Sequence, residues 1–181
     1  FLDSYDSKLH RPLDIYNQVR DKDLNVSFIG TFEKERSDII MWLGSKGVKV
    51  TVYGNGWSSM IGKDNNITIM NKAILAEEYV EIINRTKINL GFLRKINRDE
   101  VTSRSMEITG CKRFLLAERT SRHTSMFEEG KEAEFFSNKE ELLKKIKFYL
   151  NNESALKEIS IKGRDRCLNS GYDMENQVIN I

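Results

Sequence analysis

The chain has 181 residues, 31% of them charged and 39% hydrophobic; that length builds one domain with a sizeable core, and the composition is too apolar for a disordered chain. Its 29 basic and 27 acidic residues leave a net charge of +2, so no chain-wide field draws nucleic acid and any anion site must come from local clustering. Cys111, Cys167, His10 and His123 are the only cysteines and histidines, which excludes a disulfide framework, a cysteine-based zinc cage and a multi-histidine metal site.

Residues 1–24 are polar and mixed, hold the only proline (Pro12) and show no sustained period; they read as a linker or N-terminal arm. Val26-Ser27-Phe28-Ile29 is a short apolar run stopped by Gly30, the pattern of a buried strand. From Glu35 to Ser45, Ile39, Ile40 and Leu43 recur at helical spacing, and Gly47 closes the segment. Val48 to Tyr53 is rich in β-branched residues and ends at Gly54-Asn55-Gly56. Ile67 to Met70 reads as a third strand, and 76–86 as a helix with Tyr79, Ile82 and Ile83 on one stripe.

The alternation continues. Strands are predicted at 88–93, 114–117 and 133–136, and helices at 103–110, 121–129, 138–150 and 153–168, with a tail helix in 171–181. Short, continuously apolar strands alternating with helices predict an α/β, Rossmann-like, doubly wound parallel sheet of about five or six strands with helices on both faces. This domain is expected over 25–170. Ligands bind such sheets outside the carboxyl ends of the strands. That rule directs attention to the loops after Ile29, Tyr53, Leu93 and Ala117.

No apolar stretch approaches the ~20 residues that span a bilayer, and no signal peptide opens the chain, so a cytoplasmic location is expected. The sequons at Asn25, Asn66, Asn84 and Asn152 read as background, because nothing else suggests secretion. The chain begins at Phe1 rather than Met, and we expect it to be a piece of something longer.

In the first loop, Gly30 lets backbone approach a ligand, Thr31 follows it, and Lys34 or Arg36 would add charge-assisted bonds to a phosphate. Taken alone, the same residues are a turn glycine and solvated charges at a helix start; the full dinucleotide and ATP fingerprints are absent. The segment Arg94-Lys95-Ile96-Asn97-Arg98-Asp99-Glu100 leaves a strand with three cations and two acids. A helix then opens with Thr102 or Ser103 as candidate N-cap, and the amides around Ser103, Arg104 and Ser105 favour an anion. Glu107 lies one turn deeper, placed to accept from hydroxyls beside a bound phosphate, as a ribose carrying a diphosphate would require. Alone it reads as a surface carboxylate near a helix N-terminus.

His123 has no catalytic partner at useful spacing and reads as structural or exposed. Cys111 reads as a small buried apolar residue. Trp57 is either a stacking platform or core cover.

Several segments, in this order and spacing, resemble the CgeB-like (spore maturation protein) glycosyltransferases: Val26-Ser27-Phe28-Ile29-Gly30-Thr31 with Glu35-Arg36; Val50-Thr51-Val52-Tyr53-Gly54-Asn55-Gly56-Trp57; Thr102-Ser103-Arg104-Ser105-Met106-Glu107; Phe114-Leu115-Leu116-Ala117-Glu118; and Met126 to Phe136. The resemblance covers roughly 10–175 and implies the C-terminal, donor-binding half of a GT-B glycosyltransferase. It implies that Glu107 binds the ribose hydroxyls, that Asp99 lies towards the donor sugar, and that the amides of 103–105 hold the diphosphate. Gly30 and Arg36 would face the phosphates from the first loop. It further implies a nucleotide-sugar donor with no metal or other cofactor, and an acceptor-binding N-terminal domain outside this chain. The family pattern departs at Asp99, where Glu is usual, and at Cys111-Lys112, where Cys-Gly is usual.

Two alternatives are a non-catalytic Rossmann-like binding or regulatory module and a receiver-like signalling domain. The latter needs acidic residues at the end of the first strand, and Phe28-Ile29-Gly30 supplies none.

Overall fold

The computed structural model describes residues 4–14, 24–94 and 98–174. Among these residues six strands form one sheet: β1 (Leu24–Ile29), β2 (Val50–Tyr53), β3 (Ile67–Ile69), β4 (Thr86–Gly91), β5 (Phe114–Glu118) and β6 (Glu134–Phe136). Their order is β3-β2-β1-β4-β5-β6, and every neighbouring pair is parallel. Among the described residues six α-helices accompany them, the last two in succession after β6: α1 (Lys34–Ser45), α2 (Ala76–Arg85), α3 (Ser103–Gly110), α4 (Ser121–Met126), α5 (Lys139–Asn151) and α6 (Glu153–Asn169). The predicted α/β doubly wound architecture is therefore the one observed, with one added short 3-10 turn at Ser58–Met60.

Both sheet faces are covered, which is why the strands read as continuous apolar runs. Val26, Phe28, Phe114 and Leu116 point to one face and pack with Ile40 and Ile146. Ile29, Leu115 and Ala117 point to the other and pack with Val80, Ile83 and Met106. The strand order reverses between β1 and β4, and chain leaving their carboxyl ends diverges there, which is where sheets of this kind take ligands.

Of the segment expected as a linker or arm, residues 4–14 pack on the domain. Tyr5 is 1% exposed, and its amide donates to the Tyr172 carbonyl at 3.1 Å. Gly110 leaves room for it: a Cβ there would meet the Tyr5 ring at 2.6 Å. Asn84 of α2 holds the next stretch, accepting from the Leu13 amide at 3.0 Å and donating to the Arg11 carbonyl at 3.1 Å. Asn84 is 2% exposed, so this sequon is buried. Residues 1–3 and 15–23 of the arm, and 175–181 of the expected tail helix, lie outside the described residues.

Beyond β5 and β6, Arg119 donates to Glu129 and Glu141, and Lys145 of α5 donates to Glu129, Glu134 and the Phe135 carbonyl. Glu134, 5% exposed, is thus a buried carboxylate with its own cation beside it.

Candidate functional site

The loop after β1 is fixed to the loop after β2. The Gly30 amide donates to the Tyr53 carbonyl at 2.8 Å, and the Phe32 amide to the Asn55 carbonyl at 2.9 Å. Trp57 is fully buried, and its indole N–H donates to the Gly30 carbonyl at 2.9 Å, so it is core cover rather than a stacking platform. Gly54 has φ +139°, and a Cβ there would stand 2.0 Å from the Gly30 oxygen; only glycine permits this approach.

Arg36, on the first turn of α1, is 6% exposed. Its guanidinium lies over the Phe28 ring at 5.7 Å and donates to the Thr31 carbonyl at 3.3 Å. Thr31 itself is exposed and enters the site through that carbonyl. Burial lowers the Arg36 pKa; Glu33 opposes the shift, while Arg104 and Arg94 reinforce it. Three guanidiniums from the loops and helices after β1 and β4 thus gather near one another at the switch point. Glu33 lies between two of them, 3.2 Å from Arg94 Nε and 3.6 Å from Arg36 Nε. The Arg104 Nε is buried without a hydrogen-bond partner among the described residues. A concentration of cations under partial burial favours an anion beside it.

Thr102 is the N-cap of α3, and its side chain makes no capping hydrogen bond. Ser103 is exposed on the first turn. Ser105 is directed inward: its amide donates to the Thr102 carbonyl at 2.9 Å, and its hydroxyl meets His123 Nε2 at 2.8 Å. Its amide is thus already engaged, which leaves the front of the turn to Ser103 and Arg104.

Glu107 follows on the next turn, partly exposed, and accepts from the Tyr79 hydroxyl at 2.5 Å. Burial raises the Tyr79 pKa well above its ordinary value; Glu107 raises it further, and Arg104 acts against the shift. Arg104 therefore neighbours both Arg36 and the Tyr79–Glu107 pair, joining the first loop to the carboxylate.

Asp99 is placed less closely. Its amide donates to the Arg94 carbonyl at 3.3 Å, while its side chain has no partner among the described residues. Lys95, Ile96 and Asn97 lie outside the described residues.

Sequence reasoning missed Tyr79 and Glu33. Tyr79 was absorbed into the apolar stripe of α2, and Glu33 was indistinguishable from the other charges at a helix start. His123 is structural: it is 0% exposed, and its ring stacks on Phe135 at 5.2 Å. Its Nδ1 faces the Glu118 carbonyl at 2.7 Å and so carries the proton, leaving Nε2 to accept from Ser105. Cys111 is buried, and its thiol pKa is pushed up to about 12 by desolvation, which makes it inert.

Solved structures share this fold. The fold is that of a C-terminal domain of a glycosyl transferase group 1 family protein (LpcC) from Francisella tularensis, with a TM-score of 0.70 at 10% identity, over 94% of this chain and 99% of that one. Sucrose-phosphate synthase from Thermosynechococcus elongatus superposes with a TM-score of 0.76 at 10% identity, over 98% of this chain and 49% of that one. Anabaena Alr3699/HepE, solved in complex with UDP-glucose, gives a TM-score of 0.71 at 12% identity, over 98% of this chain and 54% of that one. The chain thus spans about half the length of the two longer proteins. Comparison with curated protein sequences gives no match. The sequence profile of the glycosyl transferase-like family matches residues 36–181, most of the chain. On that match and on a six-stranded sheet with the fold of a GT-B C-terminal domain, this chain belongs to the glycosyl transferase-like family.

Proposed function

We propose that residues 25–170 form the donor-binding domain of a GT-B glycosyltransferase of the CgeB-like group. The whole enzyme would move a sugar, of the hexosyl type, from a nucleotide diphospho-sugar to an acceptor hydroxyl. The observation that carries this reading is the gathering of Arg36, Arg94 and Arg104 at the β1/β4 switch point, with Glu107 one turn deeper on α3. Diphosphate charge belongs beside the guanidiniums and the uncapped start of α3. Ribose hydroxyls belong beside Glu107, whose second carboxylate oxygen Tyr79 leaves open. The sequence motifs shared with the CgeB-like group support that assignment, and the complex of HepE with UDP-glucose supports the donor class.

In the reaction, the bond between the sugar's anomeric carbon and the diphosphate oxygen breaks as the acceptor oxygen bonds that carbon. The acceptor proton passes to a base on the acceptor-binding domain, and the nucleoside diphosphate departs. The arginines stabilise charge accumulating on that leaving group, and no metal or other cofactor is assigned to this step. Asp99 is assigned to the sugar side of the site. The reading places the enzyme in the cytoplasm; among the described residues no helix is long and apolar enough to cross a membrane.

Isothermal titration of this chain with UDP, GDP and ADP tests the proposal. At least one should bind, Arg104→Ala and Glu107→Ala should weaken it, and the chain alone should transfer little or no sugar. Absence of heat with all three overturns the reading. A silent Glu107→Ala in the longer protein would favour a binding module without turnover.

A further inference from the structure

Glu33 holds the N-cap position of α1, with the extended backbone of a capping residue (φ −141°, ψ 143°), yet its side chain caps nothing. An N-cap carboxylate ordinarily accepts from the second or third helical amide. Here it turns away and lies between two guanidiniums that arrive from opposite sides of the switch point, at 3.2 Å from Arg94 Nε and 3.6 Å from Arg36 Nε. Arg36 has little freedom to leave, being 6% exposed, packed on Phe28 and bonded to the Thr31 carbonyl. Glu33 is the less restrained partner, with its side chain 27% exposed and no hydrogen bond to the helix it precedes.

We propose that Glu33 is an internal counter-anion that competes with the donor's diphosphate for Arg36 and Arg94, and thereby sets how readily the nucleoside diphosphate product leaves. This rests on the function proposed above. An incoming diphosphate must either displace the carboxylate from both guanidiniums or bind beside a like charge, and each route weakens binding. After sugar transfer the same carboxylate retakes the arginines and promotes departure. Glu33 thus tunes exchange without touching the reacting carbon.

The test compares wild type with Glu33→Gln, which preserves size and an acceptor oxygen while removing the charge. The titrants are whichever of UDP, GDP and ADP binds, its nucleoside without phosphate, and inorganic pyrophosphate. Glu33→Gln should tighten the nucleoside diphosphate about tenfold, mostly through a slower off-rate. It should tighten pyrophosphate in the same sense, leave the nucleoside unchanged, and keep the wild-type melting temperature. If wild type binds and Glu33→Gln binds equally or more weakly, Glu33 only positions Arg36; the counter-anion role then falls while the donor site stands. If the nucleoside tightens as much as the diphosphate, the effect is not electrostatic and the inference also falls. If wild type binds none of the three diphosphates, both readings fail together.

Discussion

Tyr79 and Glu107 lie 28 positions apart on different helices and meet through a hydroxyl-to-carboxylate bond of 2.5 Å. The tyrosine is itself braced by His10 of the arm, edge-on at 5.9 Å between ring centroids. One carboxylate oxygen is thereby fixed. Tyr79→Phe keeps the ring and its packing but removes the donor. It should cost about 1 kcal/mol of stability, read from denaturant unfolding. Nucleoside diphosphate affinity should fall several-fold, because Glu107 is no longer oriented.

Arg104 joins the two halves of the site. Arg104→Ala should weaken nucleoside diphosphate binding by about 2 kcal/mol, roughly thirtyfold, on the scale of a hydrogen bond to a charged group. Glu100, exposed on the preceding loop, supplies the control: Glu100→Gln should leave affinity within twofold. Equal losses at the two positions would mean that the anion does not sit at the start of α3.

The contact between Gly54 and Gly30 sets the shape of the first loop. Gly54→Ala introduces both a disfavoured φ and a Cβ 2.0 Å from a carbonyl oxygen. The expected destabilisation is about 1–3 kcal/mol, measured by thermal or urea unfolding. Binding should fall with it, since Arg36 donates to the neighbouring Thr31 carbonyl.

Lys145 satisfies Glu134 and Glu129 together. Lys145→Met leaves the 5%-exposed Glu134 without its cation, and breaking a buried pair in this way costs about 3 kcal/mol. Glu134→Gln in the same background should recover part of that loss, a double-mutant cycle readable from urea midpoints.

Alkaline pH should destabilise the protein through its buried thiols, alongside buried tyrosines such as Tyr5 and Tyr79. Burial raises both Cys111 and Cys167 from 9.0 to about 12. A group whose pKa is raised on folding contributes its full stability below the unfolded value and loses it as pH climbs towards the folded one. Urea midpoints should therefore stay level up to about pH 8.5 and then fall between pH 9 and 12, each thiol removing roughly 1.4 kcal/mol per pH unit. Cys167→Ala should make that fall shallower.

Much of the fold was legible because burial on both faces of a parallel sheet writes itself as apolar runs such as Val26–Ile29 and Phe114–Ala117, and because α5 carries Leu142 and Ile146 at helical spacing. The strand order was not, since nothing in the one-dimensional pattern says that β4 returns beside β1. Arg36, Arg104 and Glu107 drew attention as charge placed at helix starts after strands, and the structure makes Arg104 a neighbour of both Arg36 and the Tyr79–Glu107 pair. Tyr79 was hidden because a tyrosine on a buried stripe reads the same whether its hydroxyl is idle or bonded. Glu33 was hidden because sequence cannot say which way a cap carboxylate turns. The inward turn of Ser105 depends on His123, 18 residues downstream, so only tertiary structure reveals it.

The seat of Tyr5 against Gly110 has a mechanical consequence. Gly110 is the last residue of α3, and Ser103, Arg104 and Glu107 stand on its first two turns. Eight helical residues make a rod about 12 Å long, too short to bend appreciably. A bulkier side chain at Gly110 would therefore press on the Tyr5 ring at one end of a stiff rod whose other end carries Ser103 and Arg104.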